Sequence, residues 1–120
     1  MSAAVLIVDS NRDGLEMYVT ALALEGIAAD VASSAREALD VFERTHPRAV
    51  VTELRLPGSG GADLIQRVRN SRPETFIVGL ATAEGRDVVE ARKAGCDVVL
   101  RVPCLPQTLV RQLRGRIPSL

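Results

Sequence analysis

The sequence predicts an α/β fold: a doubly wound, five-stranded parallel sheet in the order 2-1-3-4-5, flanked by five helices. Short apolar runs alternate five times with segments of helical period, at a spacing of about twenty residues. The third run, residues 49–54, stops at a Pro-Gly turn, which is typical of a buried parallel strand. A chain of 120 residues with 47% apolar residues can bury one core, so residues 1–120 are interpreted as one domain.

The first strand is predicted at residues 5–8, and the polar sequence Asp9-Ser10-Asn11 follows it. The next segment has an apolar helical period and is predicted to end at Gly26. The predicted buried face of this helix consists of Leu15, Tyr18, Val19 and Leu22.

The second strand is predicted at residues 28–32. Ser34 and Glu37 have the spacing of a capping box, which predicts the start of the second helix. This helix is predicted to end at His46 and Pro47, so His46 is interpreted as a solvated loop residue and not as a ligand. The predicted buried stripe consists of Ala35, Ala38, Leu39 and Phe42.

Three further strands are predicted at residues 49–54, 76–81 and 98–102, and each is followed by a helix. A glycine-rich segment at residues 58–61 precedes the third helix, Gly95 ends the fourth, and Pro106 begins the fifth. The predicted inward residues of these helices are Leu64, Ile65, Val68, Val88, Val89, Ala91, Leu109, Val110 and Leu113. The predicted outward arginines are Arg67, Arg69, Arg72, Arg111, Arg114 and Arg116.

Composition argues against several classes of function. The formal net charge is zero and the chain has three aromatic residues, which disfavours nucleic-acid binding by this domain. No apolar run approaches the length of a membrane span or a secretory signal, so a cytoplasmic protein is expected. Cys96 and Cys104 lack the spacing of a zinc site and are interpreted as reduced packing residues.

Right-handed crossovers bring the carboxyl ends of the first, third, fourth and fifth strands to one rim of such a sheet, where ligands bind. The side chains predicted at this rim are Asp9, Ser10, Glu53, Thr82 and Val102. The glycine-rich segment lacks the Gly-Lys-Ser/Thr of a phosphate loop, and the first loop lacks the hydroxyl groups and aromatic contacts of a flavin site. Both of these ligand classes are therefore disfavoured.

The segment Glu53-Leu54-Arg55-Leu56-Pro57-Gly58 is similar to the receiver domains of two-component response regulators. In that family the third strand ends in an aspartate, followed by two variable residues, an apolar residue and Pro-Gly. The resemblance extends from VLIVDS to DVVLRVPC and implies a flavodoxin-like, CheY-like fold. It also implies a site in which acidic residues hold Mg²⁺ while a hydroxyl group and a lysine neutralise the phosphoryl group on the aspartate.

Only part of this pattern is present. Asp9 matches the first acidic position, Thr82 the hydroxyl position and Pro103 the proline that follows the lysine, for which the resemblance implies a cis peptide bond. The departures are Ser10 at the second acidic position, Glu53 at the acceptor, Val102 at the lysine and Val99 at the usual aromatic position. The resemblance thus implies a degenerate member, a pseudo-receiver.

Several expectations follow for a pseudo-receiver. No catalytic residue and no cofactor is expected, apart from weak Mg²⁺ binding at Asp9 and Glu53, in the millimolar range or weaker. Glu53 is expected to be a permanent anion that Thr82 hydrogen-bonds and that Arg55 or Arg101 balances. The alternative is an active receiver, phosphorylated by a histidine kinase or a small phosphodonor, with the atypical sites Ser10, Thr52 or Glu53.

The partner is expected to be a signalling protein, either a kinase or an effector, or a second copy of the chain. Residues 1–60 carry 5 basic and 9 acidic side chains, whereas residues 61–120 carry 10 and 6. The predicted face is formed by the fourth helix, the fifth strand and the fifth helix, and Val99 makes it static because a β-branched side chain has one buried rotamer. Its charged residues are Arg86, Arg92, Lys93, Asp97, Arg101, Arg111 and Arg114. The competing interpretation is that these residues form a solvated rim.

Overall fold

The computed structural model describes residues 3–58 and 60–120, in which five strands alternate with five helices. The strands are β1 (Val5–Val8), β2 (Ala29–Ala32), β3 (Ala49–Glu53), β4 (Phe76–Ala81) and β5 (Val98–Arg101). The helices are α1 (Arg12–Leu24), α2 (Ala35–Thr45), α3 (Gly60–Ser71), α4 (Arg86–Ala94) and α5 (Pro106–Arg116). All strand pairs are parallel and the sheet order is β2-β1-β3-β4-β5, which confirms the predicted fold. Ser59, in the glycine-rich segment, lies outside the described residues.

The two faces of the sheet bury separate cores, and this explains the uninterrupted apolar runs of the strands. Because side chains alternate along a strand, Val5 and Ile7 pack with α1 and α5, whereas Leu6 and Val8 pack with α2, α3 and α4. All four of these side chains are fully buried. The sheet is therefore covered on both faces, and its carboxyl edge remains open as a site.

Strand ends differ from the prediction by one residue at three places. β2 begins at Ala29 and not at 28, β3 ends before Leu54, and β5 ends before Val102. The ladder nevertheless continues, since Leu54 N donates to Leu80 O at 3.1 Å and Val102 N donates to Ala81 O at 2.8 Å. The backbone turns away from the strand direction at these residues and delivers their side chains to the rim.

Most predicted helix ends and faces are confirmed, with one error in α4. The Ser34 hydroxyl accepts a hydrogen bond from Glu37 N at the start of α2, and His46 is an exposed C-cap residue with φ of 46°. Val88 and Ala91 are buried, but Val89 is 51% exposed, so the predicted inward position of Val89 is wrong. Val89 is rotated by about 100° from Val88 on a helix that presents only a narrow stripe to the sheet.

Arg69 corrects a second prediction, because it does not face outward into solvent. Its side chain is only 22% exposed and donates to the backbone oxygens of Pro73, Thr75 and Gly95 and to the carboxylate of Asp97. The guanidinium group lies at the end of α3, where it connects the loops that lead into β4 and β5. Its role is structural.

Gly61 allows α3 to begin directly against the end of β3. A Cβ atom at this position would lie 2.7 Å from the backbone oxygen of Glu53 and 2.8 Å from Cα of Leu54. Such a contact is possible only for glycine without a shift of the backbone. The close approach fixes the segment that carries Glu53.

Among the described residues, none of the helices combines the length and the apolar character that crossing a membrane would require.

Candidate functional site

The carboxyl ends of β1, β3, β4 and β5 meet at one rim and surround a cavity of about 430 Å³. Its lining includes five of the residues for which the sequence indicates a role at this rim: Asp9, Glu53, Thr82, Val102 and Pro103. The charged residues of the lining are Asp9, Asp13, Glu53, Asp87 and Arg55. Acidic side chains outnumber basic ones, so the cavity carries an excess of negative charge.

Glu53 is held by Ser10, the residue at the neighbouring strand end. Oε1 of Glu53 accepts hydrogen bonds from the backbone nitrogen of Ser10 at 2.7 Å and from its hydroxyl at 2.5 Å. A hydrogen bond to a carboxylate is stronger than one between neutral groups, so these two donors fix the position of the side chain. The long side chain of glutamate reaches the short hydroxyl of serine, so the two residues are complementary in length and in hydrogen bonding.

Asp9 lies beside this pair and belongs to the same electrostatic unit. Burial raises the pKa of the Asp9 carboxyl, the backbone N–H of Asn11 lowers it, and the Glu53 carboxylate raises it further. Asn11 N donates to Asp9 Oδ1 at 2.8 Å, and α1 begins so close that a Cβ atom at Gly14 would lie 2.6 Å from Asp9 Oδ2. The first turn of α1 thus keeps Asp9 next to Glu53.

The expected partners of Glu53 are engaged elsewhere. Arg55 Nε lies 2.7 Å from Asp87 Oδ2, and Arg101 is paired with Glu84 at 3.9 Å. The β3–α3 loop passes over the first turn of α4, where the carboxylate of Asp87 attracts the Arg55 guanidinium. Arg101 also donates a hydrogen bond to the backbone oxygen of Thr82. The side chain of Thr82 is exposed and makes no hydrogen bond with Glu53. Within the described residues, no lysine or arginine lies within 4 Å of the Glu53 carboxylate.

Apolar side chains make up much of the remaining lining of the cavity. Val102 lies there beside Pro103, and the Val102–Pro103 peptide bond is cis, which confirms the prediction. Leu80 of β4 and Tyr18 of α1 also line the cavity. Burial raises the pKa of the Tyr18 hydroxyl to about 12, with smaller contributions from Cys104 and Asp9. The sequence predicted Tyr18 only as a core residue, although it lies about two turns after Asn11 and lines the cavity at the rim.

The residues present do not fit a dedicated Mg²⁺ site. In the part of the chain that the structure describes, no group of three or more His, Cys, Asp or Glu side chains is arranged to hold a metal ion. Mg²⁺ requires near-octahedral oxygen coordination, and here only Asp9 and Glu53 lie together, with Glu53 Oε1 already accepting two hydrogen bonds. Ser10, at the second acidic position, donates to Glu53 and adds no anionic ligand.

Two alternative sites of modification differ in access. Thr52 is fully buried, and its hydroxyl donates to the backbone oxygen of Glu53 at 2.9 Å. Ser10 is exposed, but its hydroxyl is the second donor to Glu53. A phosphodonor has access to Ser10 and none to Thr52.

The charged residues predicted on the face of α4, β5 and α5 differ in their surroundings, and Arg86 and Arg101 are among the exposed ones. Arg92, Lys93 and Arg111 are exposed on this face. Arg114, in contrast, donates to the side chain and the backbone oxygen of Glu25, next to α1, and Asp97 accepts from Arg69 and from the backbone of β4. Both residues have intramolecular partners because they lie where helix ends meet neighbouring loops.

Comparisons with known proteins agree with this geometry. Residues 5–114 match the family model of the response regulator receiver domain. The chain is 28% identical over 117 residues to the DNA-binding response regulator MtrA of Mycobacterium tuberculosis, covering 98% of this chain and 51% of the relative. It thus spans about half the length of that relative.

A CheY-like receiver domain protein from Methanospirillum hungatei superposes with a TM-score of 0.91 at 22% identity, covering 99% of this chain and 96% of the other. Chemotaxis response regulator CheY4 of Vibrio cholerae gives 0.87 at 24% identity, with coverage of 97% and 99%. At these identities the two structures establish the fold alone.

Proposed function

This chain belongs to the response regulator receiver domain family of two-component signalling, and we propose that it is a pseudo-receiver, a protein-binding module that works without phosphorylation. The observation that carries the proposal is the hydrogen-bonded pair of Ser10 and Glu53. In this proposal the Glu53 carboxylate stands at the acceptor position as an anion, and its two hydrogen bonds with Ser10 join the segments that follow β1 and β3.

The surroundings of the pair support the same function. Phosphoryl transfer depends on cations that neutralise the charge developing on the phosphoryl group. Val102 provides no cation at the position of the family lysine, and Arg55 is paired with Asp87. A phosphorylated Glu53 would therefore have neither the metal nor the ammonium group that stabilises an acyl phosphate.

The first test is exposure to a small phosphodonor. We expect that incubation with acetyl phosphate and Mg²⁺ adds no phosphoryl group, because the acceptor lacks both cations. Intact mass spectrometry measures the result, and Glu53→Gln is the matched control. A phosphoryl group on the wild-type chain that is absent from the Glu53→Gln variant would contradict the proposal and identify a slow active receiver. A phosphoryl group that persists in the variant and maps to Ser10 would also contradict it and identify an atypical hydroxyl acceptor.

The exposed charges of α4 and α5 support a partner surface on that face. Arg92 and Arg111 are exposed, and the acidic half of a second copy, residues 1–60, supplies complementary charge. Isolated surface ion pairs contribute only about 0–1 kcal/mol each, so the interface is expected to be weak and salt-sensitive.

The second test is charge reversal on this face. Arg92→Glu together with Arg111→Glu should abolish low-salt self-association while leaving the melting temperature unchanged, because both side chains are exposed. Sedimentation velocity at low and high salt measures the association. Arg67→Glu, at an exposed position on α3 outside both proposed surfaces, is the control. A chain that is monomeric at every salt concentration, or a control as disruptive as the double variant, would contradict self-association through this face.

A further inference from the structure

A second, polar depression lies at the opposite end of the sheet from Glu53. It has a volume of about 330 Å³ and lies where β3 and β4 begin and α5 ends. The charged groups of its lining are Arg48, Arg72, Arg116 and Glu74, and His46 lies at its edge. Its volume is at the lower end of the range typical of sites for small ligands, about 300–1,000 Å³.

Three arginines from separate parts of the chain line this depression. Arg48 precedes β3, Arg72 follows α3, and Arg116 is the last residue of α5. The single carboxylate in the lining, Glu74, lies 3.3 Å from Arg72 and has a side chain that is 69% exposed. With His46 neutral, the lining carries an excess of two positive charges. Residues distant in the sequence thus give this depression a net positive charge.

Much of the hydrogen-bonding capacity of these arginines is unused. A guanidinium group has five N–H donors. Arg48 donates to the hydroxyl of Ser119 at 2.7 Å, and Arg72 interacts with Glu74. The Arg116 guanidinium carbon lies 5.6 Å from the centroid of the Phe76 ring, and within the described residues this group makes no hydrogen bond. The ring orients Arg116 while leaving its donors available.

Helix ends alone do not explain the cluster. Arginines near helix C-termini commonly donate to terminal carbonyl groups and interact favourably with the helix dipole. Arg69 and Arg114 do donate to backbone oxygens at such positions. Arg48, Arg72 and Arg116 make no comparable bond among the described residues, although they lie at the same end of the fold. Helix capping therefore accounts for Arg69 and Arg114. It does not account for the three arginines of the depression.

We propose that this depression binds the phosphoryl group of a small phosphorylated ligand. The planar fork of arginine matches the oxygens of a phosphate group in bidentate geometry. An excess of two positive charges matches the charge of a phosphoryl dianion, and the polar lining suits a hydrated anion. The depression lies at the opposite end of the sheet from Glu53 and shares no lining residue with the cavity at the rim.

The test is a titration of the isotope-labelled chain with inorganic pyrophosphate, in which NMR monitors the amide signals. Saturable shifts are expected at the amides of Thr75, Phe76 and Ile117, which line the depression. Arg116→Gln should weaken binding about tenfold, the loss expected for one charge-assisted contact. Glu74→Gln should tighten binding about threefold, because it removes the only negative charge from the lining. A purely structural role for these residues would not produce tighter binding.

Arg67→Gln is the matched control, since Arg67 is an exposed arginine on α3 that is paired with Asp63 outside the depression. It removes the same charge and should leave the affinity unchanged. Citrate is the comparison anion, and melting curves verify that each variant is folded. The proposal is wrong if pyrophosphate causes no saturable shifts, if Arg67→Gln weakens binding as much as Arg116→Gln, or if citrate binds as tightly as pyrophosphate.

Discussion

Replacing Asp97 with alanine is expected to lower the free energy of unfolding by about 2–4 kcal/mol, a large fraction of the stability of a small domain. Asp97 Oδ2 accepts from the backbone nitrogen of Ile77 at 2.8 Å and from Arg69 at 2.7 Å. Ile77 is fully buried, so the substitution leaves an unsatisfied N–H group inside β4. It also leaves the largely buried Arg69 guanidinium without its counter-ion. Urea denaturation followed by circular dichroism measures the loss.

Arg69→Ala should have an effect of similar size, because Gly95, Thr75 and Pro73 would lose the donor that their oxygens share. The two losses should be strongly non-additive, since both substitutions break one network. Arg67→Ala is the control: its pair with Asp63 has side chains that are 63% and 41% exposed and is expected to contribute about 0.5 kcal/mol or less. An Asp97→Ala variant as stable as Arg67→Ala would show that the network contributes nothing to folding.

The order and type of the elements could be predicted because local signals are strong in this chain. Strands covered on both faces require continuous apolar runs, and such runs are visible in any sequence. Helix ends were also visible, since Ser34 accepts from the backbone at the start of α2 and Gly95 ends α4 with φ of 114°. Each of these signals depends on neighbours within four residues along the chain.

Errors arose where the outcome depends on packing between elements. Val89 was predicted inward, but the rotation of α4 against the sheet determines which of two adjacent valines is covered. Arg69 was predicted outward because it lies on the polar side of α3, and its acceptors come from loops 26 and 6 residues away along the chain. No local pattern identifies such acceptors.

The same distinction applies to the candidate site. Topology places Asp9, Glu53, Thr82 and Val102 around one cavity, and this arrangement was predictable from the strand order alone. The pairing of Ser10 with Glu53 was not predicted, because whether a glutamate reaches a serine, a threonine or an arginine depends on differences of a few ångströms between strand ends. The available signal in the sequence was that Ser10 and Glu53 both depart from the family pattern at neighbouring strand ends. Each departure was interpreted separately, so their contact was missed.

Restoring Ser10→Asp, Glu53→Asp and Val102→Lys together is expected to convert this rim into a phosphorylation site. The triple variant would have three carboxylates where Asp9 and Glu53 now lie, which suits Mg²⁺, and an ammonium group beside Pro103. The backbone frame at the end of β3 is retained, since the close approach at Gly61 does not involve any of the three substituted side chains. We expect Mg²⁺ affinity to rise at least about tenfold, as measured by calorimetry. Acetyl phosphate should then add one phosphoryl group, detected by intact mass.

The partial variants determine which substitution is responsible. Glu53→Asp alone should gain little, because it shortens the arm, breaks the contact with Ser10 and still lacks the second anionic ligand and the lysine. Ser10→Asp with Glu53→Asp should recover Mg²⁺ binding without efficient phosphorylation, since the charge supplied by Val102→Lys is needed to neutralise the transferred group. Melting curves establish that each variant is folded. If the triple variant is folded and binds Mg²⁺ but stays unmodified, the three departures are not what prevents phosphorylation. The cause would then lie in the loops at the rim. The next contact to remove would be the ion pair between Arg55, in the β3–α3 loop, and Asp87 of α4.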